Sequence, residues 1–219
     1  HEAYNAAFNI LREPLLVHKR ASKILMPVEG SFQIRDQVYG FGEQMAAKLL
    51  AIFCTQMGKA NQYVEGIACD RETMGGGTIS NRKLEKGIQA GIKDALKGTR
   101  EAGIRILGGH VLGTPRGIAI DEGRGYSDIT AVDTTIALQD LGGLVSATTY
   151  WKDVDGYCTA NPKELAANNR PMHHRDISIE EALENAAAGS ALLNVRALSR
   201  AQQHGITLQI RNIHRAGED

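Results

Sequence analysis

The sequence predicts an α/β fold, a mostly parallel sheet covered by helices on both faces in a three-layer α/β/α sandwich. Stretches with apolar residues at three- and four-residue spacing alternate with short apolar runs of strand length, the pattern of helices that cross over between parallel strands. Glycine-bearing turns separate the two kinds of segment. The 219 residues, 42% of them hydrophobic, suffice for one sizeable core, with no internal repeat or low-complexity linker, so a single domain over 1–219 is expected.

Taken in order, Val38, Phe41, Met45, Leu49, Ile52 and Phe53 share helical spacing, and Gly58 stands where a helix terminator would. A strand follows over 62–69. Gly75, Gly76 and Gly77 form a connecting loop; no Gly-Lys-Ser or Gly-Lys-Thr follows, so it is not a P-loop. Leu84, Ile88, Ile92 and Leu96 mark one face of a helix over 81–102, and residues 104–107 and 118–120 read as short strands. A helix over 127–141 precedes an apolar run at 144–147. Ser178 with Glu181 has the form of a capping box, and a closing strand covers 206–212.

Composition narrows the function. The 25 basic residues balance the 25 acidic ones, which gives no reason to expect nucleic acid or an anionic membrane as partner. No apolar run approaches the roughly 18 residues needed to cross a bilayer, and the first residues lack a basic segment followed by an apolar core, so a cytoplasmic protein is expected. Cys54, Cys69 and Cys158 lie far apart without Cys-x-x-Cys spacing and read as reduced thiols. His173-His174 reads as a loop pair, and no metal-ligating set is predicted.

The chemistry concentrates in Gly123-Arg124-Gly125-Tyr126-Ser127-Asp128-Ile129-Thr130-Ala131. Glycines let backbone N–H groups approach an anion, a helix start adds about half a positive charge, and Arg124 adds a planar fork suited to a carboxylate. Asp128 would not bind an anion and points to a metal, an ammonium group or a lysine to be held. Further on stands Trp151-Lys152-Asp153-Val154-Asp155-Gly156-Tyr157-Cys158-Thr159-Ala160-Asn161-Pro162-Lys163.

These two segments in this order resemble the aspartokinase branch of the amino-acid kinase family. Phe41-Gly42-Glu43 resembles its Gly-Glu substrate element, and Gly109-His110-Val111-Leu112-Gly113 its Gly-Phe-x-Gly turn. Glu180-Glu181-Ala182, Gly189, Arg196 and the closing strand also fit. The resemblance implies ATP-dependent phosphorylation of the side-chain carboxylate of aspartate, with ATP and Mg2+ required and a homo-oligomer as the usual assembly. It assigns Arg124 to the substrate carboxylate, Glu43 to its ammonium group, and Ser127 with the backbone of Gly125 to holding the substrate. Asp128 would orient a catalytic lysine. Lys152, Asp153, Cys158 and Lys163 would meet the nucleotide, Asp153 at adenine or ribose and Lys163 at the phosphates.

Departures from the family pattern are specific. Cys158 stands at an aromatic nucleotide contact, Asn161-Pro162 at an Asp-Pro, and Ala191 at the lysine of a Gly-Ala-Lys-Val-Leu-His-Pro element. The family opens with a strand ending in Lys-Phe-Gly-Gly, whereas this sequence begins His1-Glu2-Ala3-Tyr4-Asn5-Ala6-Ala7-Phe8, so a catalytic domain lacking its first strand and any regulatory domain is expected. Two other readings stay open: another acid kinase of the same fold, and a non-catalytic module derived from it.

Overall fold

The computed structural model describes residues 32–74, 80–97, 99, 103–158, 172–189 and 192–215. The chain forms two compact units, His1–Thr130 and Ala131–Asp219.

In the first unit, helix α1 (Phe32–Gln56) leads to strand β1 (Asn61–Val64), a short helix α2 (Arg71–Met74), helix α3 (Asn81–Lys97) and strand β2 (Ile104–Leu107). β1 and β2 pair in parallel, Asn61 opposite Ile104 and Val64 opposite Leu107. Helix α1 covers this pair by packing Ala47 and Ala51 against Ile106, with Cys54 and Tyr63 alongside. It stops where expected: Gly58 takes φ 69°, a left-handed conformation that costs glycine little. The strand expected over 62–69 is interrupted at Gly66 (φ 51°) and resumes at Ala68, which bridges Leu112 in parallel.

Helix α3 buries Leu84, Ile88, Ile92 and Leu96, the stripe its spacing predicts. Gly87 and Gly91 lie on the same buried face. A Cβ at Gly91 would fall 1.7 Å from the Ala68 carbonyl oxygen, so only glycine lets the helix rest on that backbone. The helix ends at Lys97, short of the expected 102, and Thr99 bonds back to the Leu96 carbonyl through both its N–H (3.1 Å) and its hydroxyl (2.7 Å).

Residues 118–120, expected as a strand, belong instead to a helical turn, α4 (Ile118–Asp121). A strand would put Ile118 and Ile120 on one face; here Ile118 is 1% exposed and Ile120 39%. Gly117 at φ 90° turns the chain into it, and the N–H groups of Ile120 and Asp121 bond to the Gly117 carbonyl at 2.9 and 3.0 Å. The Asp36 carboxylate accepts from the Ile118 N–H at 3.2 Å.

Helix α5 (Tyr126–Asp140) begins in the first unit and continues into the second. There it is followed by strand β3 (Ala147–Lys152), helix α6 (Ile179–Ala187), helix α7 (Val195–His204), strand β4 (Thr207–Asn212) and a 3-10 turn (Ile213–Arg215). β3 and β4 pair in parallel from Ala147 opposite Thr207 to Lys152 opposite Asn212. The strand begins where the apolar run at 144–147 ends, and Leu144 is fully exposed. The capping box of α6 is formed: Ser178 accepts from the Glu181 N–H (3.1 Å), and Glu181 accepts from the Ser178 N–H (2.8 Å). Asn194 caps the start of α7, and Gly205 at φ 63° ends it. The core holds Val132, Ile136, Tyr150, Leu193, Leu198 and Ile206. Thr135 and Thr148 share a buried hydrogen bond of 2.7 Å, which joins α5 to β3 without leaving either hydroxyl unsatisfied. A buried ion pair links Asp133 to Arg200.

Candidate active site

The carboxyl end of β2 runs into Gly108-Gly109, the position beyond a parallel strand where α/β folds bind ligands. Both glycines face α1. A Cβ at Gly108 would meet the backbone of Glu43 and Gln44 at 3.4–3.5 Å. One at Gly109 would lie 2.8 Å from Glu43 Oε2 and 2.9 Å from Ser127 Cβ. Glu43 and Ser127, 84 positions apart in the chain, thus converge over a backbone with no side chain between them. Two of the residues that the sequence assigns to one substrate are neighbours.

The glycine turn stands just before Ser127 in the chain. Gly123 and Gly125 take φ 80° and 83°, which side chains with a Cβ rarely adopt, and exposed Arg124 sits between them. The Asp128 N–H closes the first turn of α5 on the Gly125 carbonyl at 3.1 Å. Asp128 lies in the first helical turn, where its negative charge also complements the helix dipole. Thr130 bonds to the Gly109 carbonyl at 2.8 Å, tying the start of α5 to the glycine pair.

Three residues not assigned a role from sequence complete this site. Tyr126 donates to Glu43 Oε1 at 2.7 Å. Its oxygen lies 3.1 Å from His110 Nδ1, and the two rings meet edge to face. His110 Nε2 lies 2.8 Å from Asp36 Oδ1, with both side chains buried. Asp36 also accepts from the Gly113 N–H at 3.3 Å. Burial, then the hydrogen bond to Glu43 and the charges of Glu43 and Asp36, push the Tyr126 phenol far above its ordinary range, so it stays protonated. The only hint in the sequence is polar residues on the buried side of an apolar helix.

The residues assigned to the nucleotide lie in the second unit. Lys152, the last residue of β3, places its ammonium 5.7 Å from the Tyr150 ring. Asp153 follows it and is exposed. Cys158 Sγ lies 3.2 Å from His173 Nδ1 across an isolated antiparallel bridge, and burial together with the Asp155 charge raises its thiol pKa. Asp155 is held by Asn212 at 2.7 Å and Arg215 at 3.3 Å. A cavity of about 730 Å³ opens beside this segment, lined by Asp155, Gly156, Tyr157, Ile177, Leu193 and Ile206 among others. Lys163, Asn161 and Ala191 lie outside the described residues, as does the opening segment 1–8.

Among the described residues, no group of three or more His, Cys, Asp or Glu side chains could hold a metal ion. No helix among the described residues is long and apolar enough to cross a membrane.

Comparison with known proteins agrees with this architecture. The profile of the amino acid kinase family matches residues 4–212. The chain is 28% identical over 193 residues to aspartokinase 3, chloroplastic, of Arabidopsis thaliana, covering 86% of this chain and 33% of that protein. It is 28% identical over 183 residues to the aspartokinase of Mycolicibacterium smegmatis, covering 81% and 39%. Against the aspartokinase of Bacillus sp. (strain MGA3) it is 30% identical over 181 residues, covering 81% and 40%. The chain thus spans roughly a third to two-fifths of the length of these relatives. The crystal structure of aspartate kinase from Synechocystis shares the fold, with a TM-score of 0.50 at 20% identity over 91% of this chain and 30% of that one. With a family profile spanning nearly its whole length, this chain belongs to the amino acid kinase family, as an aspartokinase-like member.

Proposed function

We propose that the chain carries the aspartate site of an aspartate kinase, which transfers the γ-phosphoryl group of MgATP to the side-chain carboxylate of aspartate and yields 4-phosphoaspartate and ADP. This is the entry step to the aspartate-derived amino acids lysine, threonine and methionine. The observation that carries the reading is the convergence of Glu43 and Ser127 over Gly109, beside the Gly123–Gly125 turn that bears Arg124. The Glu43 carboxylate and, three residues before Ser127, the Arg124 guanidinium would match the ammonium and carboxylate of an amino acid.

The chemistry needs no general base, because a carboxylate with a pKa near 3.9 is already ionised at neutral pH. The difficulty is to bring one anion to another, and catalysis rests on positioning and fixed positive charge. Arg124 pairs with the α-carboxylate, Glu43 receives the ammonium group, and Ser127 with the Gly125 backbone holds the acceptor. Asp128 orients the cation that meets the transferred phosphoryl group. Lys152, Asp153, Cys158 and Lys163 receive the nucleotide, with a small-molecule acceptor and a homo-oligomeric assembly as for the family. The similarity to aspartokinases from plant and bacterial sources supports this acceptor over others used on the same fold.

The test is ADP release from MgATP across a panel of aspartate, glutamate, acetate and carbamate. Aspartate is expected to support release at least tenfold faster than the others. A preference for another acid would replace the reading with another acid kinase, and no release with nucleotide still bound would favour a non-catalytic module.

A further inference from the structure

Three hydrogen bonds in a row join Glu43 to Asp36 through Tyr126 and His110. A phenol has one hydrogen. Tyr126 gives it to Glu43 Oε1, so the contact with His110 Nδ1 requires that nitrogen to donate. At the other end, Asp36 accepts backbone N–H bonds on both oxygens, from Ile118 on Oδ1 and Gly113 on Oδ2. With an N–H directed at each oxygen, Asp36 is read as a carboxylate, which only accepts, and the hydrogen between it and His110 then belongs to Nε2. Both ring nitrogens donate, which describes an imidazolium ion.

Charge balance points the same way. Asp36 is 4% exposed, and a buried carboxylate with neutral partners alone is costly; an imidazolium at 2.8 Å supplies its counter-charge. The ring has little room to turn away, because a Cβ at Gly40 would lie 2.5 Å from it.

We propose that Tyr126, His110 and Asp36 are positioning residues that keep a proton on His110 and thereby fix the Glu43 carboxylate for the substrate ammonium group. The proposal rests on the role of Glu43 given above. With His110 protonated, the Tyr126 hydrogen is committed to Oε1, and Oε2 is left on the side of Gly109 and Ser127. With His110 neutral, one hydrogen would have to serve both the imidazole and Glu43. The carboxylate would then lose the donor that sets its rotamer.

Ring-nitrogen-labelled histidine in the full chain tests the proton directly, with His110 assigned by the loss of its signals in His110→Gln. Near neutral pH, both His110 nitrogens are expected to show protonated shifts, and Tyr126→Phe, confirmed folded by its thermal transition, is expected to move the Nδ1 signal, which loses its acceptor, and to leave the Nε2 signal, which keeps Asp36. An unprotonated Nδ1 in the parent, unaltered in Tyr126→Phe, overturns the relay. In steady-state kinetics Tyr126→Phe should raise the KM for aspartate about tenfold and leave the KM for ATP alone. Equal changes in both overturn the link to Glu43. Glu43→Gln keeps an acceptor for Tyr126, so the imidazolium signature should persist while the aspartate KM rises. An imidazolium His110 in a parent chain that never turns over aspartate would uphold the relay and overturn the functional reading instead.

Discussion

Glu43 and Ser127 approach each other across Gly109, whose missing side chain leaves room for the Glu43 carboxylate on one side and the Ser127 Cβ on the other. A methyl group there would come within 2.8 Å of Glu43 Oε2, which the side chain relieves by swinging its carboxylate away, and 2.9 Å of Ser127 Cβ, which only a shift of backbone relieves. Gly109→Ala should therefore displace the carboxylate and cut turnover of aspartate by about a hundredfold, the typical cost of misplacing a substrate by about 1 Å. Thermal unfolding should fall by only a few degrees. Wild-type kinetics in Gly109→Ala would show that the convergence has no part in binding.

Removing either end of the substrate pairing should act on one substrate alone. Charge-assisted hydrogen bonds contribute about 1.5–3 kcal/mol, so Arg124→Ala and Glu43→Ala should each raise the KM for aspartate by roughly one to two orders of magnitude. The KM for ATP should hold steady. Steady-state kinetics with each substrate varied decides it, and an unchanged aspartate KM in both variants removes the assignment.

Asp128 should behave differently, because an orienting group acts on the transition-state arrangement more than on ground-state binding. In Asp128→Asn the maximal rate should drop at least tenfold while aspartate and ATP bind as before. Retained turnover would leave Asp128 with its helix-dipole role only.

The capping box at the start of α6 makes a prediction about stability and pH. Hydrogen bonds from the Ser178 backbone and side chain hold the Glu181 carboxyl below its usual value. The unfolded state therefore binds a proton at a higher pH than the folded state does. The stabilisation is complete above the unfolded pKa, near 4.3, and is lost as pH falls through the lowered folded value. Ser178→Ala should cost about 1 kcal/mol at neutral pH. That loss should be nearly independent of pH, whereas Glu181→Gln should be less stable than the parent at neutral pH and approach it in strong acid; a Glu181→Gln difference that is the same at every pH would contradict the linkage.

Much of this molecule was legible in the sequence because the signals were local. The stripe of Leu84, Ile88, Ile92 and Leu96 is the buried face of α3, the Ser178–Glu181 cap is formed, and the turn around Arg124 leads into a helix. Short segments were less so. A three-residue Ile118-Ala119-Ile120 stretch fits either period, and its state was decided by Gly117 and the distant Asp36. Leu144 is apolar yet fully exposed, so the apolar run at 144–147 does not by itself mark buried residues. The relay through Tyr126, His110 and Asp36 was not legible, since His110 lies 74 positions from Asp36 and their pairing depends on how α1 packs beside β2. Motif resemblance named Glu43 and Ser127 as partners; only the fold explains why Gly109 must separate them.

Trapping the product with hydroxylamine tests the central claim most directly. An acyl phosphate formed on the aspartate side chain reacts to a coloured hydroxamate, in an amount that should match the ADP released and fall with Arg124→Ala. Hydroxamate formed in that stoichiometry from aspartate, and at most one-tenth as fast from glutamate or acetate, is the predicted result; ADP release without hydroxamate, or equal yields from all three acids, would contradict an aspartate kinase.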